Sequence, residues 1–122
     1  MMLVSLEKTK EQLKITWDDE DSFLIFLIRA SSMAIVNYLK DQSSEFLDSN
    51  GEVEIDSNDE PVGVPPDIQL ACLFLVGYYH GHRGDDEQQF SLSAVALPRP
   101  VMALLNMRRT YFTPNMALVI LV

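Results

Sequence analysis

The chain has 122 residues, a hydrophobic fraction of 48% and a formal net charge of -9 at pH 7. That length suits one compact domain, and that apolar content excludes a disordered chain. The acidity argues against a protein that wraps phosphate backbones tightly through clustered Lys and Arg, but it does not exclude DNA passing nearby, because an acidic wall repels DNA.

The single cysteine, Cys72, sits in an apolar run and has no partner for an intrachain disulfide, which fits a reducing compartment. Met1–Val4 lacks the basic start and long apolar stretch of a signal peptide. The apolar run at Phe23–Ile28 is interrupted by Arg29, and Met116–Val122 is far shorter than the roughly 20 residues of a bilayer span. A soluble cytosolic product with no membrane association is expected.

In chain order, Ser5 is placed to cap a helix from about Leu6 to Lys14. Leu6, Thr9, Leu13 and Ile15 form its apolar edge, with Glu7, Lys8, Lys10, Glu11 and Lys14 toward water. Trp17 falls in the connection. Asp18-Asp19-Glu20-Asp21 starts a second helix, with Asp18 or Asp19 as cap and the other carboxylates at the positive end of the helix dipole. This helix is expected over about Asp19 to Lys40. Phe23, Phe26, Leu27, Ala30, Ala34 and Leu39 mark its buried stripe, widened by Ile28, Ile35 and Tyr38. A helix apolar on so many sides needs several neighbours, from its own domain or from another subunit.

Residues 41–63 are acidic and rich in Ser, Asn, Asp and Gly. Ser49-Asn50-Gly51, between Phe46-Leu47 and Val53–Ile55, predicts a small hairpin, with Asp56–Glu60 as a solvated loop. No internal repeat is expected. Pro65-Pro66-Asp67 opens the third helix, with Ala71, Leu75 and Tyr78 on one line and Ile68, Cys72, Val76 and Tyr79 on the next, closed by Gly81 and Gly84. Asp85–Gln89 reads as a polar turn, and Phe90–Val95 alternates weakly like a strand. Pro98 and Pro100 start a last helix over about Arg99–Arg108, whose negative end suits Arg108-Arg109. Thr110–Val122 reads as an extended apolar tail containing Pro114.

No catalytic constellation accompanies these elements, and no catalytic residue, cofactor or metal is expected. His80 and His82 with Asp85, Asp86 and Glu87 could hint at a metal site. His-x-His spacing suits a strand better than a helix end, so solvated side chains are the preferred reading. The Asp18–Asp21 carboxylates are explained by capping rather than acid–base work, and a buried Cys72 is inert. Gly81-His82-Arg83-Gly84 lacks the strand-then-helix setting of a phosphate loop. The Met116–Val122 run either packs on its own domain or serves as an arm for a neighbour. A small helical regulator that binds a partner through this tail is the alternative functional reading.

The blocks Leu6-x-x-x-Lys10-x-x-Leu13-x-Ile15, Asp18–Asp21 before a long helix, Pro65-Pro66-Asp67 before an apolar helix with Tyr78-Tyr79, and Leu97-Pro98-x-Pro100-Val101-x-x-Leu104-Leu105 carry a resemblance. In order and spacing they resemble the head–tail connector (adaptor, head-completion) proteins of long-tailed bacteriophages, over roughly 6–40 and 64–109. The short hairpin-like insertion at 41–63 and the extended tail at 110–122 are read from the residues themselves and lie outside the resembling stretches. The resemblance implies an all-α fold, a small bundle of about four helices in a 1–109 connector domain. It implies a non-enzymatic virion protein that forms a homo-oligomeric ring, usually of twelve subunits, beneath the portal. The ring extends the DNA channel without sequence-specific DNA binding and docks the tail-terminator or stopper protein. Assembly is expected in the host cytoplasm, with the final place at the capsid–tail junction. In this frame Phe23, Phe26, Leu27, Ala30 and Tyr38 on the long helix are candidates for subunit contact. Arg108, Arg109, Tyr111, Phe112, Leu118 and Ile120 are candidates for contact with the portal or a neighbour.

Overall fold

The computed structural model describes residues 1–81 and 97–111, with backbone alone for Arg109, Thr110 and Tyr111. Among these residues lie four helices: α1 (Leu6–Leu13), α2 (Asp21–Leu39), α3 (Pro66–Gly81) and α4 (Arg99–Tyr111). A 3-10 turn, Lys40–Glu45, follows α2, and two short strands, β1 (Glu54–Ile55) and β2 (Pro61–Val62), pair antiparallel with Glu54 opposite Val62. The protein is the small helical bundle that the sequence predicts.

Ser5 caps α1 through its hydroxyl, which accepts the Lys8 N–H at 3.1 Å. The helix stops because Lys14 turns left-handed at φ 59 and the Ile15 N–H reaches back to the Lys10 carbonyl at 2.9 Å, sending Ile15 into the core. The start of α2 differs from expectation. Glu20 is the N-cap residue and makes no side-chain cap bond. Asp18 and Asp21 are instead drawn to Lys10 Nζ, at 2.7 and 2.8 Å. The acidic cluster therefore stitches α1 to α2, and Lys10 lies along that seam rather than in open water. Pro65 supplies the carbonyl that starts α3, accepting from the Ile68 and Gln69 N–H groups, and Pro98 does the same for Met102 in α4.

α2 packs against α1, α3 and α4, and α3 packs against α4. With the 3-10 turn, α2 is long and apolar enough to cross a membrane by length and composition, but these three neighbours give it the place of a core helix. Its inward line is Leu24, Leu27, Ile28, Ser31, Ser32, Ile35 and Leu39. This corrects the predicted stripe by one residue, a rotation of about 100°. Phe26 and Ala30 are exposed, and Phe23, Ala34 and Tyr38 stand at the borders. Two buried serines, Ser31 and Ser32, lie on this inward line, and the apolar pattern alone does not include them. The Ser32 hydroxyl accepts the buried Leu3 N–H at 2.9 Å and touches Cys72 Sγ at 3.7 Å. It satisfies a backbone donor that would otherwise be orphaned, and so it belongs inside.

The insertion contains a repeat that the sequence reading missed. Asp48-Ser-Asn-Gly-Glu52 and Asp56-Ser-Asn-Asp-Glu60 fold into the same turn. Asp48 Oδ1 accepts the N–H groups of Asn50 and Glu52, and Asp56 Oδ1 accepts those of Asn58 and Glu60. The fourth residue is left-handed in both, Gly51 at φ 75 and Asp59 at φ 61. The Asn-Gly turn forms as expected, but the paired strands flank the second turn, so Asp56–Glu60 is a hairpin tip rather than a loose loop. Gly84, Asp85–Gln89 and Phe90–Val95 lie outside the described residues, as does the tail beyond Tyr111.

Candidate assembly surfaces

α2 turns one apolar face to the core and a second to water. Ser22, Phe26, Arg29, Ala30, Met33 and Asn37 are exposed at helical steps of three and four, a stripe roughly 22 Å long. Phe26 is 64% exposed and Met33 52%, far more than single chance residues at the edge of a core. Arg29 makes this stripe amphipathic rather than greasy throughout.

A second patch lies on α3. Cys72 faces α2 through its contact with Ser32. Two residues along a helix is a turn of about 200°, so Leu70 and Phe74 point away from α2 on the far side. Both are exposed. Phe74 and Tyr78 join Pro98, Pro100 and Val101 at the start of α4 to line an apolar hollow of about 390 Å³. The bundle thus carries two unlike apolar patches on different sides. A third feature is a cleft of about 510 Å³ between the N-terminal segment, α2 and the hairpin. Met2, Val4, Leu6, Ile25, Ile55 and Pro61 line it, and Glu7, Asp59 and Glu60 stand at its rim.

Arg108 is committed within the subunit. Its Nε and one terminal nitrogen donate to both carboxylate oxygens of Asp67 at 2.8 and 3.0 Å, and the other terminal nitrogen donates to Glu45 at 2.6 Å. The two-pronged fit fixes α4 to the first turn of α3 and to the end of the 3-10 turn. The Arg108 guanidinium holds the Asp67 carboxyl below its ordinary value of 3.8. A depressed folded-state pKa contributes stability above the unfolded value, and that stability is lost as pH falls through the folded value. Both groups keep contact with water, so the clamp contributes about 1 kcal/mol at neutral pH. Arg108→Ala is expected to lower stability by that amount at pH 7 and to converge with the native chain as pH falls below 3.8 and Asp67 takes up its proton, as measured by urea unfolding across the acid range. A constant difference down to pH 2 would refute this assignment.

The other candidates fall as follows. Phe26 and Ala30 lie on the exposed stripe, while Phe23 and Tyr38 are half-buried, with the Tyr38 hydroxyl donating to Asn106 Oδ1. Leu27 is 7% exposed and packs in the core of its own subunit. Arg108 is turned inward onto Asp67 and Glu45. The side chains of Arg109 and Tyr111, and all of Phe112, Leu118 and Ile120, lie outside the described residues. Met33, Leu70 and Phe74 were not anticipated. Met33 follows Phe26 by seven residues and would have been found with the helix phase set by its buried serines.

His80 Nε2 lies 3.2 Å from Glu20 Oε1, a contact that joins the end of α3 to the start of α2. Among the described residues no group of three His, Cys, Asp or Glu side chains is placed to hold a metal ion; His82, Asp85, Asp86 and Glu87 lie outside them. Cys72 is fully buried, and burial pushes its thiol up to about 12, which removes it as a nucleophile.

The described surfaces of this bundle offer apolar patches suited to contact with other proteins. Neither the curated proteins nor the solved structures contain a match. The family model for phage gp6-like head-tail connector proteins matches residues 3–109, which takes in α1, α2, α3, the hairpin insertion and nearly all of α4. With that match over most of its length, the chain belongs to the phage gp6-like head–tail connector family, a structural connector of the virion at the head–tail junction.

Proposed function

We propose that the protein is a non-catalytic joint whose copies associate head-to-tail into a ring of twelve beneath the portal. The ring continues the DNA channel and offers its far side to the tail-terminator or stopper protein. Copies reach this place from the host cytoplasm. The observation that carries this reading is the pair of unlike apolar patches, Phe26-Ala30-Met33 on α2 and Leu70-Phe74 on α3, on different sides of one bundle. A closed ring made of one repeated contact needs two different surfaces per subunit, whereas a two-fold dimer needs one self-complementary surface. The net charge of -9 supports a channel wall that repels DNA and lets it pass.

The test mixes purified protein with purified portal assemblies and images the product by electron microscopy. A collar of added density with the rotational symmetry of the portal is expected. A chain that stays monomeric and leaves the portal bare would overturn the proposal.

A further inference from the structure

Each of the two apolar patches carries opposite charge at its two ends. On α2 the start is acidic, with exposed Asp19 just ahead of the helix. Arg29 and Lys40 are the only charged residues from Ser22 to Lys40, and both are exposed. On the other patch, α4 runs back along α3. Its start, Pro98 and Pro100, meets Phe74 and Tyr78, and its Arg108 meets Asp67 in the first turn of α3. Exposed Arg99 therefore marks the hollow end of this patch. At the far end Asp67 and Glu45 share one guanidinium, that of Arg108. One negative charge is left in excess there, on two side chains that are 38% and 45% exposed.

These ends decide what each patch can receive. Two copies of the α2 stripe packed about a two-fold axis would bring Arg29 onto its own copy, because Arg29 and Ala30 stand near the middle of the stripe, and like charges repel. The hollow is concave and cannot fill itself, whereas Phe26 is a projecting ring, 64% exposed. The stripe laid on α3 in the opposite chain direction matches both shape and sign. With Phe26 in the hollow, Ala30 lies about 6 Å further along α2 and Leu70 about 6 Å back along α3 from Phe74, so the two meet. Arg29 then points toward Asp67 and Glu45, and Asp19 toward Arg99. Laid in the same direction as α3, the stripe would bring Arg29 toward Arg99 and Asp19 toward Asp67.

We propose that α2 of one copy seats antiparallel on α3 of the next, with Phe26 in the hollow between α3 and α4 and Ala30 against Leu70. This seating rests on head-to-tail association of the copies into a ring, and it adds the mating surface, its direction and its register.

The test uses full-length chains assembled on purified portal. Ala30→Cys with Leu70→Cys is expected to give a ladder of interchain disulfides on mild oxidation, with the bond between the two new cysteines found by peptide mapping. Ser22→Cys with Leu70→Cys, the pair that the parallel direction would join, is expected to give single chains. All three positions are exposed, and Cys72 is buried too deeply to compete for oxidant. Normal collars whose chains stay unlinked, or linkage of the Ser22 pair instead, would overturn the seating and leave the ring standing. Portals left bare by the native chain would overturn both. A charge exchange tests the direction without cysteines. Asp19→Lys and Arg99→Glu are each expected to weaken collar formation about tenfold, and the two together to restore most of it. Losses that simply add would overturn the antiparallel direction.

Discussion

Replacing Phe26 and Met33 together with Asp is expected to abolish ring assembly on the portal while leaving the subunit folded. Both side chains are more than half exposed, so the fold loses little from their removal; each Asp costs about 0.5 kcal/mol in helix propensity. At a contact surface the same change is severe. It removes two apolar anchors and puts two carboxylates where another copy would strip their water without supplying partners. Truncated or unpaired charges at interfaces cost about 2–5 kcal/mol each, which corresponds to a loss of association of roughly a hundredfold or more. Circular dichroism melts would show a near-native transition, and electron microscopy of mixtures with portal would show bare portals. A normal collar from this double variant would remove α2 from the subunit contact and leave the α3 patch to be tested in the same way.

Ile28→Ala is expected to act in the opposite manner, destabilising the subunit itself by about 2–5 kcal/mol. Ile28 is fully buried in the core cluster, one helical step from Leu24 and from Ser32. Removing three carbons there leaves a cavity that the surrounding helices cannot close, because Ser32 is tied to Leu3 and Cys72 and Ile35 is buried one turn further on. Against the 5–15 kcal/mol of an ordinary domain this is a large share, and the melting temperature should fall by about 10 °C. Phe26→Ala, two residues away, should move it by no more than a degree or two. Comparing the two melts tests the rotation of α2 directly. If Phe26→Ala proved the more damaging, the inward line would have to be the one first read from the sequence.

What could be read from the sequence was local. Ser5 as a cap, Pro65-Pro66-Asp67 and Pro98-Arg99-Pro100 as helix starts, and the Asn50-Gly51 turn each rest on chemistry within a few residues. What could not be read depends on distant partners. Ser32 reads as polar and outward until Leu3, 29 residues earlier, presents an N–H to it. Arg108 reads as free until the fold brings Asp67 and Glu45, 41 and 63 residues earlier, within reach of its guanidinium. Asp18–Asp21 has the composition of a cap, but Lys10 competes for its carboxylates and wins two of them. The second turn of the insertion escaped notice because Asp59 takes the left-handed position that Gly51 advertises in the first. The exposed patches followed the same rule: an apolar helix announces that it has surplus surface, but only its neighbours decide which side is surplus.

The order of synthesis adds a consequence of α2's apolar length. This helix is finished at Leu39, yet α3, which covers much of it, ends only at Gly81, 42 residues later. At about 5–20 residues per second the ribosome needs roughly 2–8 s to supply that cover. For that interval the nascent chain displays a stretch that a membrane-insertion machine could take for a span, protected only by α1, the charge of Arg29 and the acidic segment that follows. The segment that follows in that interval, from Asp41 to Gly63, is acidic and polar, so the uncovered helix is flanked by charge on the side from which its partner emerges.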